Sequence, residues 1–161
     1  MNFRDKLVTS QQLPDWRAVW RKQGRKLVVT NGCFDLLHPG HVTYLENARN
    51  LGDGLLVGLN SDAAVRGLKG EGRPVNCEAD RAVVLAALES VNGVCLFEEV
   101  TAARFLKRAQ PDIYVKGGDY TIDTINQDER RIVEEMGGRV VIIPVVPGKS
   151  TTALLKKIAQ L

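Results

Sequence analysis

Residues 26–51 read KLVVTNGCFDLLHPGHVTYLENARNL, which joins a short apolar run to an amphipathic one through a turn. Leu27, Val28 and Val29 suit a strand covered on both faces, the pattern of a parallel sheet. Thr30, Asn31 and Gly32 end it. Pro39 falls near the first position of a helix, where its missing N–H would be an orphan donor in any case. Val42, Leu45, Ala48 and Arg49 then recur at helical spacing, Tyr44 and Leu51 widen the apolar face, and Gly52 is placed to stop the helix. The turn holds His38 and His41, the two histidines of the chain.

The amino end of a helix gathers unpaired N–H groups and the positive pole of the dipole, an environment that receives phosphate. Gly40, lacking a Cβ, would let a phosphate approach the backbone closely. Two imidazoles three positions apart at that pole could each donate to a phosphoryl oxygen. Two other readings stand beside this one, a metal pair and histidines satisfied within the fold. A metal site needs three or four protein ligands, and the chain has no third histidine and no C-x-x-C pair, so no metal site is expected.

The chain has 161 residues, the size of one domain, long enough to bury about two-thirds of its unfolded surface. Residues 1–25 are expected to form an extension with a short helix, and 26–161 a single globular domain. An apolar share of 44% and a charged share of 25% are ordinary for a globular protein. A formal charge of +3, with the basic residues dispersed, does not announce a nucleic-acid binder. Cys33, Cys77 and Cys95 are odd in number and widely spaced, as expected of free thiols in a reducing compartment. With no run of signal-peptide or membrane-span character, a cytoplasmic address and no membrane partner are expected.

Along the rest of the chain, residues 1–12 are polar and expected to be irregular, and Pro14 opens a short helix with Trp16, Val19 and Trp20 on one face and Gly24 as its stop. The tryptophans pack that helix onto the sheet or form a ligand platform. Gly54 to Asn60 reads as a second strand, making a βαβ unit with a right-handed crossover. Ser61 and Asp62 cap a short helix reaching Val65. RGLKGEGRPV, residues 66–75, follows with three glycines and three basic side chains. It reads either as a solvated connection or as a flap carrying Lys69 over an anionic substrate. Asn76 caps a helix with Val83, Val84, Ala87 and Leu88 inward. Val94 to Phe97 is a third strand, and a helix capped near Thr101 runs to Ala109.

IYVK, residues 113–116, is a fourth strand ending in Gly117, Gly118, Asp119 and Tyr120. A glycine pair past a strand's carboxyl end lies where open α/β sheets bind ligands. Lys116 could face a phosphate there; Asp119 could hold a ribose hydroxyl, a base amine or the turn itself. Asn126 and Glu129 form a capping box for a helix that Gly137 and Gly138 end, and Arg139 to Ile143 is a fifth strand. Ser150 caps the last helix, with Thr151 and Thr152 in its first turn, a second phosphate cradle. GKS at 148–150 is not the end of a P-loop, because position 143 is isoleucine where that pattern needs glycine. Five strands alternating with helices imply an α/β, Rossmann-like doubly wound parallel sheet.

GCFDLLHPGH, with its flanking strand and helix, resembles the H-x-G-H signature of the cytidylyltransferase-like nucleotidyltransferases. VKGGDY and the Ser-Thr-Thr at 150–152 resemble the same family's later motifs. The resemblance covers residues 26 to about 160 and implies a sheet of order 3-2-1-4-5. It also implies transfer of a nucleotidyl group from a nucleoside triphosphate, with Mg²⁺ carried by the nucleotide, to a phosphorylated acceptor. By it, His38, His41 and Lys69 act on the reacting phosphates. Thr30, Asn31, Gly32, Cys33, Phe34, Gly40, Lys116, Gly117, Asp119, Ser150, Thr151 and Thr152 hold the nucleotide, and Asp35 and Arg81 the acceptor.

Within the family the pattern is most similar to the adenylyltransferase branch of ADP-heptose synthesis. That implies ATP and D-glycero-β-D-manno-heptose 1-phosphate as substrates, a chain standing alone without the fused sugar kinase, and a homo-oligomer as one option. Cytidylyl transfer to glycerol 3-phosphate or another small phosphate is the alternative enzyme, and a non-catalytic nucleotide-binding module the alternative class. One departure is plain: where the glycerol-phosphate branch has arginine five residues before Ser-Thr-Thr, this chain has Val145. Lys116 or Lys149 is expected to replace it.

Overall fold

Leu27–Gly32 (β1) and Gly54–Asn60 (β2) form the middle of the sheet, and their apolar residues are sealed from water on both faces. The structure, a computed structural model, describes residues 2–118 and 120–161. Gly93–Phe97 (β3), Ile113–Gly117 (β4) and Arg139–Ile143 (β5) complete a parallel sheet in the expected order, β3-β2-β1-β4-β5. Strand β1 thus has β2 on one side and β4 on the other, so the crevice where the winding reverses opens at its carboxyl end.

Among the described residues, seven α-helices flank the sheet: Leu13–Lys22 (α1), Pro39–Arg49 (α2), Asp62–Lys69 (α3), Glu78–Ala87 (α4), Ala103–Ala109 (α5), Gln127–Glu135 (α6) and Thr151–Ile158 (α7). Alternate residues of β1 divide the core in two. Leu27 and Val29 join Trp20, Phe105, Leu106 and Val133 under α1, α5 and α6. Val28 joins Leu45, Ala48, Leu85 and Ala86 under α2 and α4. Each fully buried leucine in these layers contributes about 1.5–3 kcal/mol relative to exposure.

Several local expectations are corrected by tertiary contacts. Residues 2–8 are not wholly irregular: Phe3–Lys6 is a 3₁₀ helix capped by the Asn2 side chain, Leu7 bridges to Val94, and the Val8 amide donates to the Val94 carbonyl at 2.9 Å. Strand β3 is a sheet edge, and this segment covers part of it. In α1 the buried face holds Leu13, Arg17 and Trp20 while Val19 is exposed, because Arg17 reaches under the sheet to Asp112 at 2.9 Å. In α4 the inward residues are Arg81, Leu85 and Ala86, and Val84 faces water.

Helix α3 continues past Val65 to Lys69 and stops at Gly70, whose φ of 92° a side chain would resist. Helix α4 is preceded by Cys77 rather than by an Asn76 cap, since Asn76 bonds back to Asp35. Helix α5 is not capped by Thr101. Its entering amide, at Ala102, donates to the Glu129 carboxylate of α6 at 2.8 Å. Glu129 is therefore turned away from the capping box, of which only the Asn126 half forms.

Candidate active site

The turn after β1 and the amino ends of α2 and α7 face one cavity of about 650 Å³ at the carboxyl edge of the sheet. His38 is itself the residue that caps α2. Its extended backbone lets Nδ1 accept from the Gly40 amide at 3.1 Å, which leaves the proton of the neutral ring on Nε2. His41, one turn on, stacks against it with ring centroids 3.9 Å apart, and Phe34 meets His41 edge-on at 5.5 Å. A Cβ at Gly40 would lie 2.9 Å from the His38 ring and 3.0 Å from the Lys149 Cβ. Glycine at 40 is therefore needed for the imidazole to fold back and for the loop before α7 to come close.

Burial holds His38 below the usual histidine range, with the Lys149 ammonium adding to it. Burial and the neighbouring His38 push His41 down to about 4. Both rings are neutral at pH 7, donors through one N–H each. The Nδ1 of His41 is buried with no hydrogen-bond partner.

The second helix mouth lies against the first. Ser150 caps α7, its Oγ accepting from the Ala153 amide at 3.0 Å, and the Thr151 hydroxyl donates to the Leu36 carbonyl, in the turn before His38, at 3.3 Å. Thr152 and Lys149 line the same hollow. Lys69 lines it from the carboxyl end of α3, and Lys116 and Gly117 from the end of β4.

The family model described as cytidylyltransferase-like matches residues 29–157. The chain belongs to this family of nucleotidyltransferases. Its relatives include the bifunctional protein HldE of Methylobacillus flagellatus, 54% identical over 141 residues, which are 88% of this chain and 28% of that one. The bifunctional protein HldE of Rhodopseudomonas palustris is 53% identical over 154 residues, 95% of this chain and 31% of that one. The chain thus spans about three-tenths of the length of these relatives. Among solved structures, the lipopolysaccharide core biosynthesis protein of Thermoplasma volcanium superposes with a TM-score of 0.63 at 27% identity, over 76% of this chain and 98% of that one. A pantoate-β-alanine ligase of Francisella tularensis, at a TM-score of 0.61 and 13% identity over 96% of this chain and 78% of that one, shares the fold.

Of the residues that the cytidylyltransferase-like motifs nominate, Asn31, Gly32, Cys33, Phe34, Asp35, His38, Gly40, His41, Lys69, Lys116, Gly117 and Ser150 to Thr152 line the cavity. Thr30 does not. It is fully buried, its hydroxyl shared between Tyr44 at 2.6 Å and the Val115 carbonyl at 3.0 Å, so it joins β1 to β4 and α2. Arg81 is also outside. It is 1% exposed and its guanidinium donates to the carbonyls of Cys33, Asn60 and Asn76 and to Asp62, so no donor group reaches an acceptor substrate. The reading of Asp119 lies outside the described residues.

Asp35 lines the cavity but its carboxylate is engaged by the amides of Val75 and Asn76 and by the Arg73 Nε at 2.8 Å. Burial alone would raise it; those donors outweigh burial and hold it below the usual carboxylate range. Its role is to hold the loop after α3 against the histidine turn. Burial pushes the Cys33 thiol up despite the cations of Lys69, Arg81 and Arg73, which favours its protonated form.

Phe34 carries a φ of +43°, a strained value for a residue with a side chain, and it keeps its ring beside His41 only because Gly32 leaves room: a Cβ there would lie 2.9 Å from the ring. The sequence did not point to Tyr44, Arg73 or Glu129 as cavity residues. For Arg73 the signal was its place among the basic residues before α4. For Tyr44 and Glu129 there was none, since each reads locally as part of a helix.

Proposed function

We propose that the chain transfers the adenylyl group of ATP to D-glycero-β-D-manno-heptose 1-phosphate, giving ADP-heptose and pyrophosphate. The observation that carries this reading is the meeting of two helix amino ends in one cavity, with paired neutral imidazoles at one and hydroxyls at the other. A triphosphate lying between them has donors along its whole length. The choice of adenine and heptose is supported by the likeness to the bifunctional HldE proteins and to a lipopolysaccharide core biosynthesis protein.

In this mechanism an oxygen of the acceptor phosphate attacks the α-phosphorus of ATP in line, the bond from that phosphorus to the bridging oxygen breaks, and pyrophosphate leaves with the electron pair. The attacking oxygen is already ionised at neutral pH, so no general base is required. His38 donates from Nε2, and His41 from its one N–H, to oxygens of the α-phosphate and to the bridging oxygen as charge gathers there. Ser150 to Thr152 and the free amides of α7 hold the β- and γ-phosphates. Lys149, beside Gly40, takes the place of the arginine that Val145 leaves missing, and Lys69 faces the acceptor phosphate.

Magnesium enters with the triphosphate as part of the substrate. Among the described residues, the cavity carboxylates Asp35 and Glu129 already accept hydrogen bonds from protein groups. Phosphate oxygens and water therefore suit the ion better than either side chain. The cytoplasm, which holds ATP, is the proposed compartment.

The test is pyrophosphate release from ATP and from CTP against a panel of sugar 1-phosphates and glycerol 3-phosphate. Turnover of ATP with a heptose 1-phosphate is expected. Turnover with CTP alone, or with glycerol 3-phosphate in place of the sugar, would overturn the assignment.

A further inference from the structure

At the floor of the cavity, a buried carboxylate stands close to a largely buried ammonium. The Glu129 side chain is 6% exposed and that of Lys116 18%, and Glu129 Oε2 lies 3.9 Å from the Lys116 Nζ. They are tied together through two polar groups. The Tyr114 hydroxyl lies 2.9 Å from Glu129 Oε2 and 2.6 Å from Asn31 Oδ1, and Lys116 donates to the same Asn31 oxygen at 3.3 Å. The hydroxyl has one proton for two acceptors, and the ammonium supplies what it lacks at Asn31.

A helix cap explains only half of Glu129. Its Oε1 accepts from the Ala102 amide at the entrance of α5, but Oε2 faces Tyr114 and Lys116. Burying a carboxylate and an ammonium is costly unless each answers another charge. Their separation is too long for a direct hydrogen bond, so the ammonium is drawn toward Asn31 and the cavity rather than closed onto the carboxylate. Lys116 sits at the carboxyl end of β4, across from the end of β1, at the crevice of the sheet.

We infer that Glu129 is a positioning residue of the nucleotide site, acting through Tyr114 and Asn31 to hold the Lys116 ammonium toward an anionic oxygen of the bound nucleoside triphosphate. The inference rests on the proposed reading of the cavity as a nucleotide site. Lys116 is the group that touches the nucleotide; Glu129 keeps it charged and aimed. Burial pulls the ammonium below the usual lysine range, while Glu129 and Cys33 pull it back up. Among the described residues, the ring of Tyr114 on its own strand, with centroid 5.6 Å away, and that of Tyr120, 5.9 Å away, also face Lys116. From α2, Tyr44 lies over the neighbouring Gly117.

The experiment titrates Mg-ATP calorimetrically into the parent and into Lys116→Met, Glu129→Gln, Tyr114→Phe and the Lys116→Met/Glu129→Gln pair, from pH 6 to pH 10, with thermal unfolding of each. Lys116→Met is expected to weaken binding by about ten- to a hundredfold, the loss of one charge-assisted hydrogen bond. Glu129→Gln and Tyr114→Phe are expected to weaken it less, and the pair no more than Lys116→Met alone.

In Glu129→Gln the alkaline loss of ATP affinity should move to lower pH, since removing a negative neighbour makes the ammonium easier to deprotonate. A carboxylate that only caps α5 would lower thermal stability without moving that limb. Parent-like binding and an unmoved limb in Glu129→Gln and Tyr114→Phe, or additive losses in the pair, overturn the inference alone. A parent that binds no Mg-ATP overturns it together with the reading of the cavity.

Discussion

A neutral imidazole carries one N–H, and the surroundings of His41 decide that it stays neutral. Burial and the stacked His38 lower it to about 4, so the folded protein refuses a proton that the unfolded chain accepts below about 6.5. Stability from this residue is therefore complete above about pH 6.5 and is lost as pH falls toward 4. Urea midpoints at pH 7 and pH 5 should differ more in the parent than in His41→Gln. Asp35 acts in a lower window: its carboxyl is held below the usual range, so its contribution is lost only as pH falls through that depressed value. His41→Ala should reduce kcat by about 100- to 1,000-fold with the fold intact, the cost of one donor to a developing charge. Pyrophosphate release and circular dichroism check both halves. Arg81 is the contrasting case. Arg81→Met leaves buried carbonyls and Asp62 without their donor, and a loss of about 3–5 kcal/mol in urea unfolding is expected, more than any change in acceptor KM.

Two helix amino ends face this cavity, and each is built differently. Helix α2 is capped by an imidazole that also lines the cavity, and α7 by a serine whose Oγ accepts from the Ala153 amide. Ser150→Ala should cost about 1 kcal/mol of stability and raise KM for ATP, because the first turn of α7 frays. Denaturation and steady-state kinetics on the same sample would show whether the two losses travel together. The amino end of α2 was legible from Pro39 and the spacing of Val42, Leu45 and Ala48, and that of α7 from Ser150. The entrance of α5 was not, because its capping group comes from Glu129, far along the chain, and no local residue type signals such a partner. Likewise Asn76 has the composition of a cap, yet its backbone amide donates to the Asp35 carboxylate and its side-chain amide to the Asp35 carbonyl, which turns it away from the start of α4.

Strand order brings the two mouths together. With β1 between β2 and β4, the turn after β1 and the loop after β5 leave the same edge of the sheet, and Thr151 meets Leu36 across 115 positions of sequence. A ligand bridging them ties β1 to the carboxyl-terminal helix and should stabilise the whole fold. At a hundred times its Kd, Mg-ATP is expected to add about 2.7 kcal/mol. That amounts to a rise in Tm of roughly 5–10 °C for a domain of this size. Differential scanning fluorimetry with Mg-ATP and Mg-CTP measures it, and a rise with CTP alone would point to the other base.

The parallel sheet, its five strands, the paired histidines at a helix mouth and the hydroxyls at another could be read from the chain because strand burial, caps and proline act over a few residues. Only the folded arrangement assigned Arg81 and Thr30 to internal bracing, Asp35 to the loop after α3, and Glu129 to the cavity. Each of those side chains has partners chosen by which strands became neighbours, and a hydrogen bond across the sheet leaves no periodic trace in the sequence at either end.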